Sequence, residues 1–585
     1  MRTPMNIRRV GLATLATSLV LGGSVVTAGS ASAEADFDFQ RVSGENRYDT
    51  SAKAAEAFGA ANTVIIASGE RGRYPDALAA NYVAGLENAP VLLTRQDETP
   101  AEVKQAIKDS GARNIIIVGG ESAVSAAQEQ ALSQDYSVKR LAGDDRWGTA
   151  AAIIAEGGDA QGDTALLATG MNFPDALGGG PVAFAEKMPL AITKVDDMPD
   201  NVVDELKAAG ITKVLVLGGE SAVSKAVETE LKDKGITVEK RFAGTDRAET
   251  SAMLARHAIA NFGFKNTAVN VASGYVKGDG ADALGGAALT GKQERALLIT
   301  KSEDTAGAAI LKFLGDFAGT LTEGLIFGGT SALTQSLELQ LEKAVLGSGA
   351  QIGNVLYDTP QEAIDAAKAG DTVTVFGQDN PGFTVKTAGL TVKGENGASV
   401  KEAIQVLGVD DVTISGLTIT PSNVGGQVAG IYLDNAEDIT ITGNTVLGTA
   451  NAGAGVINTS GGEAETATIR NNTFRDLLQG VFANPSATYV IDDNVFRNNT
   501  AASANDTAST ITDNRFINND EGIGLGAAGS TVTGNSFGDN EVYVKDYTSD
   551  PANYDLQNMI TENDFDNEVT VTEDGSAIVD KPAAQ

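Results

Sequence analysis

The sequence contains no cysteine and a single histidine, His257, among its 585 residues. These two counts exclude thiol nucleophiles, disulfide frameworks, Cys/His zinc sites and metal centres built from several histidines. A Ser-His-Asp triad would have to use His257. Aromatic residues make up only 5%, whereas Gly is abundant at 67 residues. The composition therefore favours tight turns and thin, repetitive architectures, and it limits catalysis to carboxylates, Lys, Arg, Tyr and hydroxyl groups.

Basic charge is scarce as well, because 43 Lys and Arg face 77 Asp and Glu, a formal net charge of −34. A chain of this charge repels nucleic acid and anionic membrane surfaces, so we expect neither as a partner. The imbalance is strongest near the end, where residues 351–585 hold 10 basic and 33 acidic residues. The length predicts about three to five domains.

The first 33 residues have the pattern of an export signal. Three arginines precede a mostly apolar run, Val10–Ala28, and small residues follow at 31–33. The pattern predicts a secretory signal peptide over residues 1–33, with a retained membrane helix as the alternative. We therefore expect a secreted chain with no membrane anchor after signal cleavage.

One module occurs three times. Each copy has an Arg-x-x-Gly-x-x-Arg motif, an Ala-rich helical stretch, apolar strands, an Asp-Ala-Leu loop and a last strand followed by Gly-Gly. Short apolar strands that alternate with helices predict a parallel sheet covered on both faces. We therefore expect three tandem α/β modules, which raises the possibility of a pseudo-threefold arrangement. The repeats are assigned to residues 34–139, 140–240 and 241–350.

The Gly-Gly after each last strand has two interpretations. It could open a helix and present backbone N–H groups to an anion, or it could form only the tight turn of a parallel sheet, which we favour. The sequence has no G-x-G-x-x-G or G-K-[ST] motif, so a nucleotide cofactor is unsupported.

The three copies resemble the type 2 cell-wall-binding repeat. The resemblance rests on the Arg-x-x-Gly-x-x-Arg start, the Pro-Asp-Ala-Leu loop and the Val-Gly-Gly-Glu-Ser-Ala-Val-Ser closure, and the third copy lacks the Pro. It implies non-covalent attachment to an anionic secondary polymer of the Gram-positive cell wall. It also implies a protein at the cell wall or cell surface.

Three arginines at matching positions are the candidates for holding that polymer. Guanidinium groups make forked contacts with phosphates and carboxylates. The candidates are Arg47, Arg146 and Arg247. The alternative is structural: each Arg pairs with a carboxylate of its own module, drawn from Asp76, Asp175 and Asp282. The earlier arginines of the motif, at positions 41, 140 and 241, are weaker candidates because they could simply flank a strand.

Residues 351–580 have a different pattern. An amphipathic helix over 360–368 precedes polar, Asn-rich coils in which Asn recurs at 444, 472, 494, 514, 535 and 563. Repeats this short cannot bury a core alone and must stack, and Asn suits hydrogen-bonded ladders and left-handed corners. The region resembles the right-handed parallel β-helix of pectate-lyase-like proteins, which gives a fold and not a function.

Charged side chains near one turn of these coils are the candidates for catalysis. Carboxylate pairs perform glycosidase chemistry at suitable separations, and carboxylate clusters bind Ca²⁺. The candidates are Asp492, Asp493, Asp513, Arg475, Arg497 and Arg515. Gly or Asn occupies the position of Asp493 in other coils, which is typical of a tolerant turn residue, so we assign no catalytic residue. We expect no cofactor, with Ca²⁺ as an open alternative.

The sequence thus predicts a multidomain protein in which three α/β modules with parallel sheets precede a right-handed parallel β-helix. The modules would bind the wall polymer, and the β-helix would bind carbohydrate or another surface ligand. The alternative is a wall-tethered polysaccharide lyase or glycoside hydrolase that acts through the β-helix groove.

Overall fold

The structure is a computed structural model that describes residues 37–581, apart from 72–73, 172–173, 275–279, 450–451, 459–464, 486 and 549. The proposed signal peptide lies outside the described residues. Contacts within the described chain define two compact units, residues 37–345 and 346–581. No helix in the described ranges is long and apolar enough to cross a membrane.

The first unit contains three four-stranded parallel sheets, each built in the same strand order. The sheet of module 1 consists, from edge to edge, of Val91–Thr94, Thr63–Ser68, Asn114–Val118 and Ser137–Leu141. That of module 2 consists of Leu190–Thr193, Thr164–Thr169, Lys213–Leu217 and Thr237–Phe242. That of module 3 consists of Ala296–Thr300, Ala268–Ser273, Glu323–Phe327 and Asp38–Val42. The predicted α/β modules with parallel sheets are confirmed.

Helices cover these sheets. Module 1 has Arg47–Phe58, Tyr74–Glu87, Ala101–Ser110 and Ala126–Leu132. Module 2 has Arg146–Glu156, the 3₁₀ turn Pro174–Gly179, Gly180–Ala185, Asp200–Ala208 and Lys225–Asp233. Module 3 has Arg247–Asn261, Ala281–Lys292, Ala308–Asp316 and Gln335–Leu346. The first helix of each module begins after an Asn or Asp cap, whose side chain accepts backbone N–H bonds.

The fourth strand of each sheet comes from the next copy of the repeat. Ser137–Leu141, which carries the first Arg of the second motif, pairs with Asn114–Val118. Likewise, Asp38–Val42 at the start of the described chain pairs in parallel with Glu323–Phe327 of module 3. The three modules are therefore closed into a ring by strand exchange.

The middle of this ring is an apolar core shared by all three modules. One continuous cluster includes Leu78, Phe184 and Leu284, one from the second helix of each module. Two glycines allow these helices to approach closely: a Cβ at Gly85 would lie 2.2 Å from the Phe184 carbonyl oxygen, and one at Gly291 would lie 2.7 Å from Phe184 Cβ. The helices consequently pack backbone to backbone around the ring centre.

The second unit is a coil of short parallel strands that form three sheets. Sheet A contains Thr372–Phe376, Thr391–Gly394, Thr413–Ser415, Ile439–Thr442, Glu465–Arg470, Ala487–Asp492, Thr510–Thr512 and Thr531–Thr533. Sheet B contains Ser399–Val400, Thr418–Ile419, Thr445–Leu447, Thr473–Arg475, Val495–Arg497, Arg515–Ile517, Ser536–Gly538 and Asp564–Phe565. Sheet C contains Phe383–Val385, Ile404–Leu407, Gln427–Asp434, Ala454–Asn458, Gln479–Ala483, Ala501–Asn505, Glu521–Leu525 and Val542–Asp546. The predicted β-helix is confirmed.

Both ends of the coil are covered. At the first end, the hairpin Gly349–Ile352 and Val355–Tyr357 pairs antiparallel with sheet A. The predicted helix follows, over Pro360–Ala366. At the other end lie the 3₁₀ turn Pro551–Asn553, the helix Leu556–Glu562 and the strands Val569–Val571 and Ala577–Asp580, which also run antiparallel. These antiparallel pairs cover edges that would otherwise be open for further strands.

Asparagine ladders and stacked phenylalanines hold successive coils together. At the turn from sheet A to sheet B, Asn472 Oδ1 accepts hydrogen bonds from the backbone N–H and Nδ2 of Asn444. The backbone N–H and Nδ2 of Asn472 in turn donate to Asn494 Oδ1. The Asn472 backbone N–H lies 2.9 Å from Asn494 Oδ1. Inside the coil, Phe474 and Phe496 stack with ring centroids 5.1 Å apart, and the stack continues to Phe565.

The left-handed corner residue is not the ladder Asn itself but the residue before it. Asp493 has φ 52°, and Asp513 has φ 54°. Gly443 and Gly534 occupy the same position in other coils, also at positive φ. The interpretation of Asp493 and Asp513 as tolerant turn residues agrees with this geometry, since Asp, Asn and Gly adopt left-handed φ at low cost.

Candidate functional site

Each module interface gathers the same set of groups at the carboxyl ends of the parallel strands, the usual position of ligand sites in such sheets. The set comprises an Arg and a Thr from the first helix of one module and the carbonyl of the Gly that directly follows the strand after that helix. Its last member is an Asp from the neighbouring module, which is the preceding module in the ring. We call these sets the interface sites. Site 1 is Arg47, Thr50, Gly69 and Asp282; site 2 is Arg146, Thr149, Gly170 and Asp76; site 3 is Arg247, Thr250, Gly274 and Asp175.

The three predicted polymer-binding arginines occupy equivalent places in these sites. Arg47 Nη1 donates to the Gly69 carbonyl oxygen at 2.8 Å. Arg146 and Arg247 make the matching bonds to the carbonyl groups of Gly170 and Gly274. All three arginines remain partly exposed. Each guanidinium is therefore held in a fixed position beside solvent.

The aspartate of each site is partly removed from water. Burial raises the pKa of Asp76 to about 6, although the nearby Arg146 guanidinium acts in the opposite direction. Burial also raises the pKa of Asp175 and of Asp282, opposed in part by the charges of Arg247 and Arg47. Desolvation thus outweighs the opposite charge at all three sites.

The structural alternative for these arginines needs a correction. The carboxylates were expected to pair with the Arg of their own module. The structure instead places Asp76 beside Arg146 of module 2 and Asp175 beside Arg247 of module 3. The attraction between Arg and Asp therefore crosses the interface, because the helix Tyr74–Glu87 and the 3₁₀ turn Pro174–Gly179, which carry these aspartates, each pack against the first helix of the next module.

The Gly-Gly turn contacts the same aspartate. A Cβ at Gly119, whose φ is 111°, would lie 2.7 Å from Asp76 Oδ2. The turn does not open a helix: the helix Ala126–Leu132 begins only after Ser125, whose side chain caps it. The favoured turn interpretation therefore fits the structure, and the first Gly makes room for the Asp carboxyl.

The first arginine of each motif has a structural position. Arg140 Nη1 donates to the Gly119 carbonyl oxygen at 2.7 Å, and its guanidinium forms an ion pair with Glu129 at 2.7 Å. Arg41 makes the matching contacts with Gly328 and Glu338. These bonds fix the exchanged strand on its sheet, which agrees with the interpretation that these arginines flank a strand.

Two features of the interface sites were not predicted from the sequence. Thr50, Thr149 and Thr250 accept the N–H of the motif Gly, at 3.1, 3.2 and 3.1 Å, and so close the loop before the helix. A Thr nine residues after the first Arg of every motif was the available signal. The second feature is Trp147, the only Trp of the chain, whose ring lies 5.9 Å from the Arg146 guanidinium.

The structure does not gather the charged candidates of the β-helix into one site. Asp493 and Asp513 are exposed turn residues. Asp492 accepts a bond from the Thr512 hydroxyl at 2.7 Å. Arg475 and Arg497 are paired neighbours in sheet B. Arg515 instead pairs with Val495, which lies two residues before Arg497 in the same strand. No group of three or more His, Asp or Glu side chains suited to a metal occurs within the described ranges.

His257 also lacks a catalytic setting. Its Nδ1 lies 3.3 Å from Lys240 Nζ and 2.9 Å from Asn261 Nδ2. Partial burial and the Lys240 charge lower the pKa of His257. The charge of the nearby Glu239 carboxylate opposes this shift in part, and the side chains within hydrogen-bond distance of Nδ1 are an ammonium and an amide.

Comparison with known proteins finds two kinds of region in the chain. Residues 41–129, 140–228 and 241–338 match the family described as cell wall binding domain 2 (CWB2), and residues 402–565 match the right handed beta helix region.

Two curated proteins of Bacillus subtilis (strain 168) are similar to part of the chain. N-acetylmuramoyl-L-alanine amidase LytC is 30% identical over 317 residues, which cover 54% of this chain and 60% of LytC. The amidase enhancer is 30% identical over 302 residues, which cover 52% of this chain and 40% of that protein. The chain thus spans less than two thirds of each of these relatives.

Two solved structures from Clostridium difficile show a partial likeness. Cwp8 has a TM-score of 0.46 at 27% identity and covers 53% of this chain, with 52% of Cwp8 matched. Cwp6 has a TM-score of 0.47 at 20% identity and covers 64% of this chain, with 55% of Cwp6 matched. The assignment of this chain rests on the two family matches and not on these structures. The chain is a cell-wall-associated surface protein with three tandem cell wall binding domain 2 repeats and a C-terminal right-handed β-helix.

Proposed function

We propose that the three interface sites hold the protein non-covalently on an anionic secondary polymer of the cell wall. The observation that carries the proposal is the threefold recurrence of a fixed, partly exposed arginine at the carboxyl ends of the strands. A protein of net charge −34 needs such local positive groups to attract an anionic chain.

The chemistry of each site suits phosphate or carboxylate groups. A guanidinium has five N–H donors in a rigid fork. At site 2, Arg146 Nη1 bonds to the Gly170 carbonyl, while the side chain stays partly exposed and can bind an anion as well. Three such sites around one ring would bind successive charges of one polymer, and their combined affinity would exceed that of one site by orders of magnitude.

Binding of the full chain to purified walls tests this proposal. Arg→Lys at positions 47, 146 and 247 together keeps the charge and removes the fork. We expect the triple variant to lose about tenfold or more in wall binding, since a forked contact is not replaced by an ammonium. Arg113→Lys, at an exposed position away from the interface sites, is the matched control. Wild-type protein should also lose binding when anionic polymers are stripped from the walls.

The single Trp gives a direct readout of site 2. Because Trp147 lies beside Arg146, purified anionic polymer should change its fluorescence in the wild type and much less in the triple variant. Thermal melting would identify a triple variant that fails to fold. A folded triple variant that binds walls as well as Arg113→Lys does would refute the role of the arginines.

The β-helix is the displayed part of this proposal. We expect secretion through residues 1–33 and a carbohydrate or other surface ligand for the β-helix. The enzymatic alternative, a polysaccharide lyase or glycoside hydrolase, gains no support from geometry, because its candidate carboxylates are turn residues or lie at strand ends. We expect no cofactor, with Ca²⁺ as the alternative, and repeating the wall-binding assay with a chelator tests it.

A further inference from the structure

An open cleft of about 410 Å³ lies on the outer face of sheet C in the last coils of the β-helix. The strands Ala501–Asn505, Glu521–Leu525 and Val542–Asp546 pass beneath it. None of its residues was singled out by the sequence. The cleft is also separate from the Asp and Arg candidates, which lie along sheets A and B.

Small residues create the cleft. Phe482, Ala504, Gly524 and Lys545 occupy one register position on four successive strands. The two small residues lie in the middle of this series, so the outer surface drops between large neighbours. A Cβ at Gly524 would lie 2.5 Å from Glu521 Oε1 and 3.2 Å from the Tyr547 ring, so any larger residue would fill the space.

One wall of the cleft is an oriented aromatic ring. Tyr547 is 56% exposed. Among the large hydrophobic side chains described in the β-helix, it is the most exposed. Its hydroxyl donates to Glu521 Oε2 at 2.5 Å, and Lys545 Nζ lies 4.6 Å from the ring centroid. The ring is thus held in place before any ligand arrives, which reduces the entropy lost on binding.

The charged side chains of the cleft indicate which kind of ligand it can bind. Asp506, Asp520 and Glu521 line it, and the Lys545 ammonium lies over the Tyr547 ring. Carboxylates accept hydrogen bonds from hydroxyl groups but repel phosphates and uronates. An exposed tyrosine adds a flat surface that is apolar on its face and polar at its tip. This combination fits a hydroxyl-rich, uncharged chain better than an acidic one.

We propose that this cleft binds a neutral glycan, with a sugar ring against Tyr547 and its hydroxyl groups donating to Glu521 and Asp506. The inference rests on the β-helix part of the proposed function and makes it specific. The two units would then bind chains of different charge. The interface sites present arginines to an anionic polymer, whereas the cleft presents carboxylates to an uncharged one.

Titration of the full chain with soluble oligosaccharides tests this site without requiring wall attachment. The probes are neutral tetrasaccharides of glucose, mannose and N-acetylglucosamine, with tetragalacturonate as the anionic comparison, measured by calorimetry. We expect at least one neutral probe to bind and the uronate not to bind. Tyr547→Ala should weaken binding about tenfold or more, and Ala504→Leu should weaken it by filling the cleft.

Matched variants make the outcome decisive. Val490→Ala also removes an exposed apolar side chain, from sheet A, and should leave the affinity unchanged. Glu521→Gln should weaken binding of the neutral glycan, whereas Glu573→Gln, an equal charge change at an exposed position, should not. The proposal is overturned if no neutral probe binds, if the uronate binds as well as the neutral probe, or if Tyr547→Ala binds like Val490→Ala. Loss of wall binding in the arginine variants would leave this titration unaffected, so the two proposals fail separately.

Discussion

Burial controls the charge of the aspartates in the interface sites. The pKa of Asp76 lies near 6 in the folded chain, above its ordinary value of 3.8, because desolvation outweighs the attraction of Arg146. Below about pH 4 the carboxyl is protonated in both the folded and the unfolded chain. As the pH rises from 4 to 6, the unfolded chain ionises first, so the folded state loses stability. The loss becomes complete and constant well above pH 6, where the folded carboxyl is ionised as well.

Asp76→Asn should remove this penalty. We expect the variant to be more stable than the wild type by about 1–3 kcal/mol at pH 7, and nearly equal to it at pH 4. Urea unfolding followed by Trp147 fluorescence from pH 4 to 8 measures the difference. Asp135→Asn, at an exposed position of the same module, is the control. An Asn variant that is equally destabilised at both pH values would show that packing, not ionisation, dominates at Asp76.

At the scale of the element, the β-helix separates its buried ladder from its exposed corners. Asn494 donates from Nδ2 to the Ile469 carbonyl oxygen at 2.8 Å and to Asn514 Oδ1 at 3.0 Å. It also accepts the Asn472 N–H at 2.9 Å. The preceding Asp493 points outward at a left-handed φ of 52°. We therefore expect the fold to tolerate substitution of Asp493 but not of its neighbour Asn494.

Asn494→Ala should destabilise the β-helix by about 3 kcal/mol, because it leaves several buried backbone groups without partners. Asp493→Gly, one position away, should change stability by less than about 0.5 kcal/mol, since Gly takes the left-handed conformation freely. Calorimetry of the full chain compares the two melting temperatures. Equal losses from both substitutions would contradict the division between ladder and corner.

At the scale of the molecule, strand exchange makes the three modules one unit. Phe39 belongs to the first repeat by sequence, yet its strand pairs with Glu323–Phe327 of module 3, and its side chain is 4% exposed in the module 3 core. The start of the chain therefore stabilises the last module. A mutation in one repeat acts on the sheet of its neighbour.

Phe39→Ala should loosen module 3 and not module 1. Removing a buried Phe costs about 3–5 kcal/mol, and hydrogen exchange should consequently speed up in Ala268–Ser273 and Glu323–Phe327. Leu141→Ala, on the exchanged strand that joins module 1, should instead speed up exchange in Asn114–Val118. Faster exchange confined to Thr63–Ser68 after Phe39→Ala would contradict the closed ring.

Local patterns were sufficient to predict most elements. Repeated motifs gave three α/β modules, and the spacing of Asn gave the coils, because helix caps, strand alternation and tight turns depend on nearby residues. Contacts between copies were not predictable in this way. Three similar repeats offer the same partners at each interface, so the sequence named Asp76 correctly but assigned it to the arginine of the wrong module.

The cleft beside Tyr547 shows the same limit in the β-helix. Ala504, Gly524 and Lys545 are about twenty residues apart along the chain, and only the stacking of coils places them in one series. The sequence by itself determined the parallel sheets, the β-helix and the recurring arginines, since each follows from local pattern and repetition. The tertiary structure alone decided which module completes which sheet, which aspartate faces which arginine and where the cleft opens, because these depend on packing between residues distant in sequence.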